Sequence, residues 1–293
     1  MHVPMRFPIA PYLAFVLLLP LAPARAVTPV DALRQRYAAI APQLAASPYG
    51  RPLKIESVQD EGDLQGDVQA VVEHPFTTLD RELRSAARWC DILILHPNTK
   101  QCVSSDTQLA VAVGRKYDQP LADAYHLNFD YRVAASAPDF LKVVLNAKDG
   151  PFGTHDYRIV VEATPLDPRH AFLHMSYAYG YGFAARMALQ GYLATIGRDK
   201  VGFTVVGRQR DGQPVYVDNV RGVVERNAMR YYLAIDAYLA SLAAPPGEQQ
   251  ERRLLAWFNA TERYRRQLHE MEQADYVAMK RSELERQRVA QGK

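Results

Sequence analysis

Between Ala171 and Val206 the sequence AFLHMSYAYGYGFAARMALQGYLATIGRDKVGFTVV changes its hydrophobic period in mid-course, and the rest of the chain must be arranged around that change. Leu173, Met175 and Tyr177 alternate with Phe172, His174 and Ser176, the two-residue period of a strand with two distinct faces. Gly180 and Gly182 interrupt it. Ala185, Ala188, Leu189, Tyr192, Leu193 and Ile196 then fall at helical spacing as one apolar stripe, and Gly197 stands where a left-handed cap ends a helix.

Gly180, Gly182 and Ala185 also satisfy G-x-G-x-x-[GA], the dinucleotide-binding fingerprint. That fingerprint belongs to the first βαβ unit of a parallel sheet. Here it follows several strand-like runs joined by short turns, which suit an antiparallel meander. The glycines are therefore read as a sharp turn from sheet to helix.

Taken from its start, the chain shows a helix opening at Thr28-Pro29 with Leu33, Tyr37, Ile40 and Leu44 on one face. Short strands follow at Leu53 to Val58 and Leu64 to Glu73, around the turn Asp60 to Asp63. Pro75 to Leu95 reads as helical. The meander begins with Leu109, Val111 and Val113, and continues with Leu127, Phe129, Tyr131 and Val133 alternating with polar residues. Phe140 to Ala147 and His155 to Thr164 make a hairpin across Asp149 to Thr154. Beyond Val206, a helix spans Val220 to Leu242 with a stripe of Val224, Ala228, Tyr231, Tyr232, Ile235, Leu239 and Leu242. Pro245-Pro246-Gly247 breaks it. Glu248 to Val289 is charged and helix-favouring, with few apolar positions, and reads as an extension dispensable for the fold.

This order resembles the helix-grip fold of the START-type and Bet v 1-like (SRPBCC) superfamily over roughly Leu53 to Val206. The residues that carry the resemblance are Leu79-Asp80-Arg81-Glu82-Leu83 leading to Trp89-Cys90, and the junction Tyr177-Ala178-Tyr179-Gly180-Tyr181-Gly182. The resemblance implies an α+β fold, a curved antiparallel sheet wrapped around a long helix, with a hydrophobic cavity between them. Two helices compete for the grip position, 183–196 and 220–242. The expected organisation is a leader at 1–26, an N-terminal helix at 27–50, a helix-grip domain at 51–244 and a helical extension at 245–293.

Met1 to Ala26 has the form of a secretory signal: Arg6 near the start, an apolar run from Ile9 to Leu21, and Ala24-Arg25-Ala26 as an A-x-A cleavage site. Its removal takes away Arg6 and Arg25 but no acid, leaving 33 basic and 32 acidic residues. A nearly neutral chain offers no electrostatic footprint for nucleic acid. Cys90 and Cys102 are the two cysteines, and in an oxidising, periplasmic or extracellular compartment they are expected to form a disulfide.

G-x-S-x-G, H-E-x-x-H and S-x-x-K do not occur. His170 and His174 share a strand face but stand about 13 Å apart, too far for one metal, and read as ordinary sheet residues. No cofactor or metal is expected. Arg186, near the start of an otherwise apolar helix, can hold a carboxylate or phosphate headgroup or pair with a sheet acid. Arg226, Asn227 and Arg230 either pair locally or close one end of the cavity over a headgroup. Tyr177, Tyr179, Tyr181, Tyr192 and Tyr231 suit an amphiphile, because the ring packs on hydrocarbon while the hydroxyl reaches a polar group. Small Ala184, Ala185 and Ala188 leave room for such a ligand. The resulting reading is an exported protein that binds or transfers a lipid or other hydrophobic ligand, with transient membrane contact. Two alternatives stand: a cavity enzyme of cyclase, aromatase or hydrolase type, and an envelope adaptor using its last helix to bind a protein partner.

Overall fold

A computed structural model describes residues 27–195 and 197–290, without the side chains of Ala184, Tyr192, Leu193, Ala194 and Ala290; the Met1–Ala26 leader lies outside the described residues. Along the chain run α1 (Pro29–Ala45), β1 (Leu53–Asp60), β2 (Asp63–Val72), α2 (Phe76–Leu83), α3 (Ala86–Leu93), β3 (Thr99–Ser104), β4 (Gln108–Val113) and β5 (Tyr125–Ala137). Then come β6 (Phe140–Asp149), β7 (Thr154–Pro165), β8 (Ala171–Tyr181), α4 (Phe183–Ala194), β9 (Val205–Arg208), β10 (Pro214–Tyr216), α5 (Asn219–Ser241), α6 (Pro246–Glu262), α7 (Arg265–Leu268) and α8 (Gln273–Ala290). Thr28 caps α1 by accepting from the Asp31 amide at 3.2 Å. The expected helix over Pro75 to Leu95 is two, α2 and α3, broken at Arg84 and Ser85.

The strands β1 to β8 form one antiparallel sheet in the order β1-β2-β8-β7-β6-β5-β4-β3. The strand singled out by its period, β8, lies between β2 and β7, and every one of its residues is buried. Both neighbours run antiparallel to it, so the glycine pair after β8 does not open a parallel βαβ unit. Leu173, Met175, Tyr177 and Tyr179 belong to the main core. On the opposite face Phe172 joins Leu33, Ile40 and Leu44 of α1, with Tyr37 against it at 5.2 Å.

Under α1 the same outer face holds a buried polar group. His174 lies between Asp67 (Nε2 to Oδ1, 2.8 Å) and Glu162 (Nδ1 to Oε2, 3.1 Å), two carboxylates on the flanking strands. His170 instead contacts Asp167 in the β7–β8 turn. His174 is thus a cradled charge rather than an ordinary sheet residue.

The grip position belongs to α5. It packs on β2, β1 and β8 with one side and on α6 and α3 with the other, which is why Val224, Ala228, Met229, Tyr232, Ile235 and Leu239 are all buried. Covered on both sides, α5 is an interior helix, and even its charged Glu225, Arg226 and Arg230 are buried. Gly66 of β2 permits the approach: a Cβ there would stand 3.1 Å from the Val224 carbonyl oxygen and 3.2 Å from Ala228 Cβ. By contrast, α4 packs beside the β6–β7 turn, with Phe183 79% exposed and Ala188 exposed. The ligand space expected beside Ala185 and Ala188 is therefore not under the grip helix. An amphipathic stripe specifies a helix, not which surface it covers.

The segment after Pro246 is likewise not an appendage. Leu254, Trp257, Phe258, Leu268 and Tyr276 are buried in the main core. Trp257 Nε1 donates to the Arg230 carbonyl at 3.2 Å, and the Tyr276 hydroxyl to the Leu95 carbonyl at 2.8 Å. Few apolar residues suffice there because three are large aromatics, each worth roughly 1.5–3 kcal/mol or more on burial. Cys90 of α3 and Cys102 of β3 are bridged, their Cα atoms 5.2 Å apart. Among the described residues, no helix is long and apolar enough to cross a membrane.

Candidate functional site

The concave face of the sheet meets α5 through aromatic rings. Tyr177 and Tyr179 stand two residues apart on β8 and so share a face. Tyr157 comes from an irregular stretch of β7 and stacks on Tyr179 at 5.3 Å, while Tyr231 of α5 meets Tyr177 at 5.2 Å. His96, just after α3, stacks on the other side of Tyr231 at 4.9 Å. Tyr157 donates to Thr154 Oγ1 at 2.9 Å. The hydroxyls of Tyr177, Tyr179 and Tyr231 have no hydrogen-bond partner among the described residues. Burial raises the pKa of all three, so each is a neutral hydroxyl.

Beside this cluster the buried charges converge. Arg226 and Arg230, one turn apart on α5, are each 2% exposed. Arg230 pairs with Glu270, which also receives Lys116 Nζ at 2.7 Å and Lys200 Nζ at 3.6 Å. Arg226 donates to the Val201 carbonyl at 3.2 Å, and Arg230 reaches Asn227 Oδ1 at 3.4 Å. Burial, the Arg230 charge and Arg226 bring the Lys116 pKa down to about 8 against the pull of Glu270. Burial, then Arg230, Lys280 and Lys116, hold His96 well below 6.5, so its imidazole is neutral. Its Nδ1 accepts from the Asn98 amide at 3.2 Å, which places the proton on Nε2. His96 Nε2 and Arg230 Nε are both buried without a partner.

Glu225 does not pair with its arginine neighbours. It accepts from Ser57 Oγ (2.6 Å), the Phe203 and Thr204 amides (2.6 and 2.9 Å) and Thr204 Oγ1 (2.7 Å), which fastens 203–204 to α5.

Of the residues singled out in the sequence, Tyr177, Tyr179 and Tyr231 therefore meet at one place, with Arg226, Asn227 and Arg230 at its edge. Tyr181 continues the same strand face at the end of β8, where its hydroxyl accepts from Gln59 Nε2 at 3.1 Å, and Arg186 lies over it outside the cluster. The Arg186 guanidinium lies 5.7 Å from the Tyr181 ring, in an open groove of about 580 Å³ bounded by 57–62 and Arg221. The side chain of Tyr192 lies outside the described residues. Sequence reasoning missed Tyr157, His96, Lys116, Lys200 and Glu270, which sit on irregular segments or at strand ends where no periodicity marks a face.

A sheet in which α2 and α3 bridge β2 to the far-edge strand β3, and in which a long helix after the last strand lies across the concave face, decides the architecture. The chain has the helix-grip fold of START-type and Bet v 1-like proteins. Neither a protein-family model nor a curated protein matches the sequence. Solved structures are similar over part of the chain. One is a START superfamily protein from Mycobacterium smegmatis, 12% identical with a TM-score of 0.32, over 46% of this chain and 88% of that one. Ara h 8.0201 is 10% identical with a TM-score of 0.36, over 61% and 99%. Norcoclaurine synthase from Thalictrum flavum, solved with dopamine and hydroxybenzaldehyde, is 10% identical with a TM-score of 0.31, over 50% and 84%. The helix-grip domain of this chain differs from a bare sheet and helix in carrying α1 on its outer face and α6 to α8 behind α5.

Proposed function

We propose that the protein is an exported binding or transfer protein for a hydrophobic small molecule, a lipid being the leading class, held between the concave sheet face and α5. The observation that carries this reading is the aromatic face that Tyr177 and Tyr179 of β8 form with half-buried Tyr231 of α5, whose hydroxyls make no hydrogen bond to another described residue. Hydroxyls without a partner in the chain, set among apolar rings, fit a ligand with an apolar body and polar atoms. Export rests on the leader sequence and on the Cys90–Cys102 bridge. The adaptor reading has no comparable support, because α8 turns Tyr276, Lys280 and Glu283 into this chain's own core.

Titration of the full-length mature protein with N-phenyl-1-naphthylamine, a neutral apolar fluorophore, tests the reading. The parent should bind it, and Tyr177→Ala and Tyr231→Ala should each change the affinity while the fold persists by circular dichroism. A parent that binds no neutral apolar probe, and whose organic extract contains no bound molecule, would refute it.

A further inference from the structure

The cationic end of the tyrosine-lined face has features that a structural ion pair does not require. Three cations, Arg230, Lys116 and Lys200, share the single carboxylate of Glu270, with Arg226 buried alongside. Two further donors at the same place, Arg230 Nε and His96 Nε2, are buried and unpartnered, and their side chains are 2% and 3% exposed. A buried polar group is costly unless paired, and Glu270, which Arg230 and Lys200 already share, leaves these two donors unmet. His96 also stacks on Tyr231, so the unmet donors border the aromatic cluster directly.

Glu270 itself is unusually placed for a core counter-ion. It sits in the irregular linker between α7 and α8, flanked by half-buried His269 and Met271, and its own side chain is 12% exposed. Rotating one side chain would carry its carboxylate to water without unfolding a helix. Lys200, in the turn after α4, reaches the same carboxylate from the surface side, at 22% exposure.

We propose that this end of the site is a subsite for the carboxylate of an amphiphilic ligand, with Glu270 as its resident competitor. Arg230 and Lys200 take the incoming carboxylate in place of Glu270. Arg230 Nε and His96 Nε2 supply the donors that Glu270 leaves unused, and the apolar part of the ligand runs along Tyr231 and Tyr177. The proposal rests on the ligand-binding reading above and adds the chemical class: a carboxylic acid with an apolar body, such as a fatty acid. Charge-assisted hydrogen bonds to a carboxylate are about twice as strong as neutral ones, so acid and ester should be clearly separated.

The test uses 11-(dansylamino)undecanoic acid, its methyl ester, acetate as a chain-free carboxylate, and neutral N-phenyl-1-naphthylamine as a control, on the full-length mature protein. The acid should bind about tenfold more tightly than its ester. Glu270→Gln should tighten the acid by about tenfold and leave the ester and the neutral control unchanged. Lys200→Gln, at a partly exposed position, should weaken the acid alone, and it keeps the test informative if Arg230→Gln fails to fold. Competition by millimolar acetate as effective as that by an unlabelled long-chain acid would assign the subsite to free small carboxylates rather than amphiphiles and overturn that part of the proposal. Equal affinity for acid and ester in the parent and in both variants, with the neutral probe still bound, would overturn the carboxylate subsite and leave the binding reading standing. Failure of the neutral probe as well would remove both.

Discussion

Lys100 Nζ and a carboxylate oxygen of Glu283 lie 2.9 Å apart, and neither side chain has any exposed surface. The other oxygen of Glu283 receives Lys280 Nζ at 2.7 Å. The remaining ammonium protons go to backbone carbonyls: those of Pro97 and Tyr117 from Lys100, those of His96 and Thr99 from Lys280. Lys100 belongs to β3 and Lys280 and Glu283 to α8, so a fully desolvated network fastens the last helix to the edge of the sheet. Such a network is tolerable because nearly every donor and acceptor is used.

Removing Glu283 therefore strands two buried cations. Glu283→Ala should lower the unfolding free energy by roughly 3–5 kcal/mol, measured by urea denaturation. A chain truncated after Ala244 should aggregate, because Trp257, Phe258 and Tyr276 no longer cover the far side of α5. A truncated protein that melts cooperatively at the parent's temperature would contradict this.

The Cys90–Cys102 bridge closes a short loop between α3 and β3. Cys90→Ser should reduce stability by roughly 2–4 kcal/mol, chiefly by releasing the unfolded chain. Mass spectrometry of the parent should show a gain of about two daltons on reduction, with no alkylation beforehand.

His174 gives stability a defined pH window. Burial disfavours its charged form, but hydrogen bonds to Asp67 and Glu162 outweigh burial and raise its pKa, against the nearby Arg36 charge. The hydrogen bond from His174, with Lys142 adding to it, brings Glu162 down to about 2, and Asp67 is also lowered despite its burial. The carboxylates' contribution is present above about 4.5 and is lost as pH falls towards 2. The imidazolium contribution is complete below about 6.5 and is lost as pH rises through its elevated folded value. The stability difference between the parent and His174→Gln should thus be largest between about pH 4.5 and 6.5, at roughly 1.5–3 kcal/mol, and shrink on both sides. A difference that is flat from pH 4 to 9 in urea unfolding would show that the cradle carries no charge.

Gly66 is the contact point of sheet and grip helix. Gly66→Val should push α5 off β2 and cost about 1–3 kcal/mol or more, seen as a lower melting temperature and weakened binding of the neutral probe together. Gly191, with open space around it, should accept Ala with no loss of stability.

The sequence by itself determined the elements, because their periods are local properties. The alternation in β5 and β8, the breakers at 149–154, the Thr28 cap and the stripe of α5 each depend on residues within a few positions of one another. It also brought Tyr177 and Tyr179 to one face and Arg226 and Arg230 to one helix side. Only the tertiary structure decided which of two amphipathic helices fills the sheet. That choice turns on Gly66, which lies far from α5 in sequence and has no side chain to signal its role. Tertiary structure likewise decided that the charged tail is core, since Lys280 and Glu283 look like solvated residues until Lys100 arrives from β3. The carboxylate-loaded cation cluster was equally illegible: Lys116, Lys200, Arg230 and Glu270 come from four separate stretches of chain, and a long-range electrostatic meeting leaves no period in any one of them.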